Sequence, residues 1–114
     1  MRKIKIETWK ANAPIRDKDG NVTGTQELDE NLLIALNVLI GSKQPQDVPK
    51  GIEKFRIFGK IAQAFDKADQ TGILELEDRE YIFLKETVEK DVPSSWAMNK
   101  NLSKAINDFL DAKE

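Results

Sequence analysis

The sequence predicts an α+β domain: a small N-terminal antiparallel sheet or hairpin followed by a bundle of about four helices. Three observations carry this. Residues 3–9 (Lys-Ile-Lys-Ile-Glu-Thr-Trp) alternate in character, the period of a strand. An Asp19-Gly20 dipeptide joins two short alternating arms, which is a hairpin signal. From residue 27 onward, apolar residues recur at helical spacing in four separated blocks.

The elements follow in order. Ile4, Ile6 and Thr8 share one face of the first strand. The arms at 15–18 and 21–23 then make two more, with both turn positions wanting positive φ, so that three short strands fill the first 25 residues. Helix 1 is expected over 27–40 with Gly41 as its stop. Its run Leu32-Leu33-Ile34-Ala35-Leu36-Asn37-Val38-Leu39-Ile40 is apolar almost all round, which suits either the central core or a subunit contact. Two prolines, Pro45 and Pro49, make 44–49 a loop. Helix 2, over 51–68, carries Phe55, Phe58, Ala62 and Phe65 at spacings of three, four and three, a core stripe. Residues 69–72 form a turn and 73–76 a short extended piece. Helix 3 runs over 77–90 with its acids at the N-terminus, where the helix dipole favours them. Tyr81, Leu84 and Val88 form its inner face, and Phe83 points the other way. After the break at 91–95, a last helix over 100–112 turns Leu102, Ala105, Ile106 and Phe109 inward, with Asn99 as N-cap. The reading is one domain over 1–114, with strands and hairpin in 1–26 and helices in 27–112.

Composition narrows the chemistry. The 114 residues include no histidine and no cysteine, the side chains that supply most near-neutral bases, nucleophiles and transition-metal ligands. A cysteine-free chain holds no disulfide and fits a reducing cytoplasm. No apolar run reaches the ~20 residues of a membrane span, and no apolar signal core follows Met1-Arg2-Lys3. Lys50, Lys54, Arg56 and Lys60 spread around two sides of a helix rather than along one stripe, which argues against a nucleic-acid face. The scattered glycines form no phosphate loop, and Ser94-Ser95 has no histidine to activate it. The acids Glu75, Glu77, Asp78 and Glu80 open a helix, which reads as a solvated face rather than a catalytic pair. No catalytic residues and no cofactor are expected.

Two segments imitate calcium loops. Asp17-Lys18-Asp19-Gly20-Asn21 opens like an EF-hand loop but has Val22 where the loop needs glycine and Leu28 where it needs a bidentate glutamate, so a hairpin turn explains it better. The second starts at Asp66 between two helices and ends on Glu77, yet Ala68 and Gln70 stand at ligand positions. It reads as a degenerate EF-hand-like helix–loop–helix, with Asp66, Asp69, Gln70, Glu75 and Glu77 as the calcium candidates.

The layout has a resemblance. Residues 4–12, the Asp-Gly hairpin, Asp29-Glu30-Asn31-Leu32-Leu33, and Val92-Pro93-Ser94-Ser95-Trp96 followed by the 102–110 helix resemble small proteins of tailed bacteriophages and prophages. The resemblance implies a viral accessory or assembly protein in the host cytoplasm and transfers no site residues. The functional expectation is a non-enzymatic protein–protein interaction module, an adaptor or inhibitor. Phe83, Trp96 and Met98 would be its apolar anchors and Glu77, Asp78 and Glu80 an acidic rim. The alternatives are a self-assembling structural protein, with helix 1 or the first strand as contact, and a calcium-responsive helix–loop–helix.

Overall fold

The computed structural model describes residues 1–44, 46 and 48–113. Among the described residues, four strands and four α-helices are arranged as β1 (Arg2–Lys5), β2 (Trp9–Arg16), β3 (Val22–Glu30), α1 (Leu32–Gly41), α2 (Ile52–Thr71), β4 (Ile73–Leu76), α3 (Asp78–Asp91) and α4 (Lys100–Leu110), with a 3-10 helix at Ser94–Met98 before α4. The fold is α+β, as the sequence predicts.

The strands form two separate antiparallel pairs. β2 and β3 make a hairpin, Trp9 opposite Glu30 and Ile15 opposite Gly24, with a bulge at Ile15/Arg16. β1 instead crosses the chain to pair with β4, Ile4 opposite Leu74. Ile4, Leu74 and Leu76 are buried there, so this small ladder is part of the core. The short extended piece expected at 73–76 is therefore half of a ladder.

Around that ladder, α3 touches α1, α2, α4 and β4. Its Tyr81, Leu84 and Val88 are buried, as expected. They meet Leu32, Leu33, Leu36 and Leu39 of α1, Ile57, Ile61 and Phe65 of α2, and Leu102, Ile106 and Phe109 of α4 in one apolar cluster. Asn31 caps α1 by accepting the Ile34 N–H (3.0 Å), and Asn99 caps α4 by accepting the Leu102 N–H (3.1 Å).

Several boundaries differ from the sequence reading. Residues 27–30 are strand, not helix, because Glu27 to Glu30 pair with Asn12 to Trp9; α1 begins only after Asn31. The hairpin connection is a five-residue turn rather than a two-residue one. Gly20 has φ +83°, but no other residue of the turn has positive φ. The Asp17 carboxylate instead accepts the N–H groups of Asp19 and Asn21 (both 2.9 Å). α2 continues through Thr71 and closes on Gly72 in the left-handed conformation (φ +79°). Its buried row is Ile57, Ile61, Phe65 and Ala68, while Phe55 and Ala62 face solvent and Phe58 is half-buried. The helix carries apolar side chains on two adjacent stripes, and α3 with β4 packs on the isoleucine stripe. The loop expected at 44–49 includes Pro45 and Asp47, which lie outside the described residues. Among the described residues no helix is long and apolar enough to cross a membrane.

Candidate interaction surface

α1 sets the site. It is apolar on every side, so a core that covers only one face must leave apolar side chains outside. Leu32, Leu33, Ala35, Leu36 and Leu39 are buried; Ile34 and Val38 remain 44% and 51% exposed. The outward positions of α1, Ile34, Asn37, Val38 and Gly41, include no charge, in a chain whose residues are 33% charged.

The chain returns to that face after α3. Pro93 fixes an extended entry (φ −65°, ψ 131°) into the Ser94–Met98 turn, which sets Ser95 and Trp96 beside α1. Ile34 and Val38 form one wall of a groove of about 250 Å³, Ser95 and Trp96 the other, and Ala35 and Leu102 the floor. Trp96 is half-buried, whereas Met98 is 88% exposed. Met98 follows Ser95 by one 3-10 turn, so the two stand on the same side of that helix.

Glu30 also lines the groove. Its Oε1 accepts the Trp9 indole N–H (2.8 Å) and the Asn99 amide N–H (2.9 Å), joining the hairpin root to the α4 cap. This joint is a site residue that sequence reasoning missed. Its partners lie 21 and 69 positions away, beyond the reach of any local pattern.

Trp96 thus lines the groove, with Met98 exposed two residues on, but the other expected anchors are elsewhere. Phe83 is half-buried edge-to-face on Phe58 (ring centroids 5.0 Å, 82°), an aromatic joint between α2 and α3 rather than a free anchor. Its neighbour Ile82 takes the outward position. The acids lie at the N-terminal end of α3, whose 14 residues span about 20 Å at 1.5 Å per residue, whereas Trp96 follows its C-terminal end. They do not make an open rim. Asp78 accepts from the Arg2 guanidinium (2.8 Å), Glu77 lies 3.9 Å from the Lys60 ammonium, and Glu80 is buried.

The calcium candidates also fail to converge. Asp66, Asp69 and Gln70 are exposed on the last turns of α2, because the helix runs through the expected loop. Glu75 accepts a hydrogen bond from Lys67 (2.9 Å), which with that ammonium's charge holds its carboxyl below the ordinary value. Among the described residues no three acids are placed to hold a metal ion.

A second apolar cleft opens where α2 begins. Val48, Ile52, Phe55 and Phe58 border it, with Ile52 and Phe55 largely exposed. A third, between β1 and α4, is lined by Lys3, Lys5, Lys104 and Lys113 against Glu7 and Asp108, with Trp9 at its side. Lys104 is already paired with Asp108 (2.7 Å), whose hydrogen bond and charge raise the ammonium above its ordinary value.

The chain was compared with protein-family models, with curated proteins and with solved structures, and matches none of them.

Proposed function

We propose that this chain is a non-enzymatic protein–protein interaction module that takes its partner on the groove between α1 and the Ser94–Met98 turn. The observation that carries this reading is the charge-free outer face of α1 sharing a groove with Trp96, with Met98 largely exposed two residues further on. Tryptophan and methionine are enriched at the centres of interfaces, and charge is depleted there. The resemblance of its layout to small tailed-phage proteins supports reading such a module as an accessory protein, an adaptor or inhibitor working in the host cytoplasm.

The test is capture of a partner by the tagged protein, with Met98→Ala, Val38→Lys and Trp96→Ala compared at equal folded content by circular dichroism. Removing a central anchor weakens binding by roughly 30-fold or more. Ile82→Ala, at an exposed position outside this groove, leaves capture intact. Capture that survives all three substitutions sinks the reading.

A further inference from the structure

The β2–β3 hairpin makes little contact with the rest of the molecule and exposes almost its whole length. A two-stranded hairpin on its own is at best marginally stable in water. Its two faces are unequal. One carries Lys10, Asn12, Glu27 and Asp29, with Lys10 and Asp29 paired. The other presents Ala11, Ala13 and Ile15 from β2 against Leu28, Gln26 and Gly24 from β3, with no charge between the Trp9–Glu30 root and the tip. Leu28 and Ile15 are 47% and 40% exposed on that face. Glu30 sits at the root of that face and also lines the groove, so the bare sheet and the groove adjoin at one carboxylate, whose Oε1 is held by Trp9 and Asn99.

We infer that the partner on this surface is a second copy of the chain: two hairpins pack face to face about a two-fold axis, each tip reaching the other copy's groove. The inference rests on the groove being an interaction surface and names what occupies it. Dimensions support it. From the root pair Trp9/Glu30 to Ile15/Gly24 is six residues, about 20 Å of strand. Antiparallel packing of two such arms therefore sets Ile15 beside the other copy's Glu30, Ile34 and Val38. Ala11, Ala13 and Gly24 are small enough to let two sheets approach to the ~10 Å of face-to-face packing.

The area suffices as well. Ile15, Leu28, Ile34, Val38 and Met98 together expose roughly 500 Å² of apolar surface, against about 800 Å² per partner, a little over half of it apolar, in a standard interface. Although each copy carries a net charge of −2, Glu30 is the one charged residue these faces share, and antiparallel packing sets it against Ile15 rather than against the other copy's Glu30, so the faces meet without like-charge repulsion. The contact closes as a symmetric pair in which the same patch serves both copies. Pro14 removes one N–H from β2, which disfavours open-ended pairing along the hairpin edge.

Sedimentation equilibrium of the full chain tests this, with Ile15→Glu at the tip, Val38→Lys in the groove, and an equimolar mixture of the two. The wild type sediments as a dimer. Each substitution buries an unpaired charge and weakens dimerisation by about 100-fold or more. The mixture restores a heterodimer, since the carboxylate introduced at one copy's hairpin tip then faces the ammonium introduced in the other copy's groove. A wild type that stays monomeric overturns the inference, and so does a dimer that neither substitution disturbs. Partner capture separates the two readings. A monomer that still captures another protein through Val38 and Met98 overturns only the second-copy assignment, whereas a monomer that captures nothing through them overturns both.

Discussion

Removing one oxygen from Tyr81 tests how the C-terminal helix is held to the core. The Tyr81 hydroxyl donates to the carbonyls of Phe109 (2.7 Å) and Leu110 (3.1 Å), two of the last acceptors of α4. Tyr81→Phe leaves in place the ring contact with Phe109 at 5.1 Å and the Arg2 guanidinium 4.1 Å above the ring. The Phe109 carbonyl also keeps the Ala112 N–H (3.2 Å), so it is not left bare. The loss is therefore one buried hydroxyl's bonding, about 1–2 kcal/mol. For a chain of this length that lowers Tm by about 4–10 °C. The same hydroxyl sets a pH dependence. Burial, its largest cause, raises the phenol above its ordinary value near 10, with Asp111 and Glu89 pushing the same way and Arg2 opposing. The folded state holds the proton more tightly, so this contribution is full below about pH 10 and is lost as pH rises through the folded value. The lysines titrate in the same range in both proteins and cancel in the difference. The stability gap between wild type and Tyr81→Phe, measured by urea denaturation, thus narrows above about pH 10. Tyr81 is the only tyrosine, so tyrosinate absorbance reads this one group directly. A gap below about 0.3 kcal/mol at neutral pH, or one that stays constant to about pH 11, refutes the reasoning.

Two further predictions concern α2 and its closing turn. Gly72→Ala costs about 1 kcal/mol because its backbone is left-handed and nothing lies near a new Cβ, whereas Gly59→Ala, inside the helix with equal space, stabilises by about 0.5–1 kcal/mol. Equal urea midpoints for the two variants contradict that assignment of backbone roles. Lys67→Met lets the Glu75 carboxyl titrate nearer its ordinary value in an NMR titration. The pair's contribution is present at neutral pH and fades as pH falls through the depressed folded value, so the variant shows less loss of stability on acidification; an unchanged Glu75 titration rules the pairing out.

Local chemistry was legible in the sequence and long-range pairing was not. Asn99 as a cap, and Tyr81, Leu84 and Val88 as an inner row, depend on neighbours within one helical turn, and all stand as read. The α2 stripe failed because Phe55-Phe58-Ala62-Phe65 and Ile57-Ile61-Phe65-Ala68 are both good helical rows; only what packs on them decides, and β4 with α3 chose the second. The pairing of β1 with β4 spans some seventy residues, and no alternation in either strand specifies its partner. Phe83 was misjudged for the same reason, since its place depends on Phe58 of another helix. At the site, Trp96 and Met98 were visible as apolar residues in a polar segment. The groove was not, because Ile34 and Val38 belong to a helix that is apolar all round, and its period does not reveal which side stays bare.

The bare side of α1 has a physical origin in the chain's own economy of charge. A helix with Ile34 and Val38 replaced by lysine or glutamate would still bury Leu32, Leu33, Leu36 and Leu39, so the core does not demand apolar residues at those two positions. The same holds for Leu28 and Ile15 on an arm that the core barely touches. These positions sit on different elements, yet Glu30 ties the elements together through Trp9 and Asn99, fixing the angle at which the arm leaves the body beside the groove. An arm meant only as a surface loop needs no such anchoring, because loops tolerate freedom at their roots. A surface built to receive a rigid partner does need it, since every side chain ordered only on binding subtracts from affinity. Glu30 therefore ties the hairpin root to the α4 cap and holds the Ala11–Leu28 face and the groove in one fixed relation.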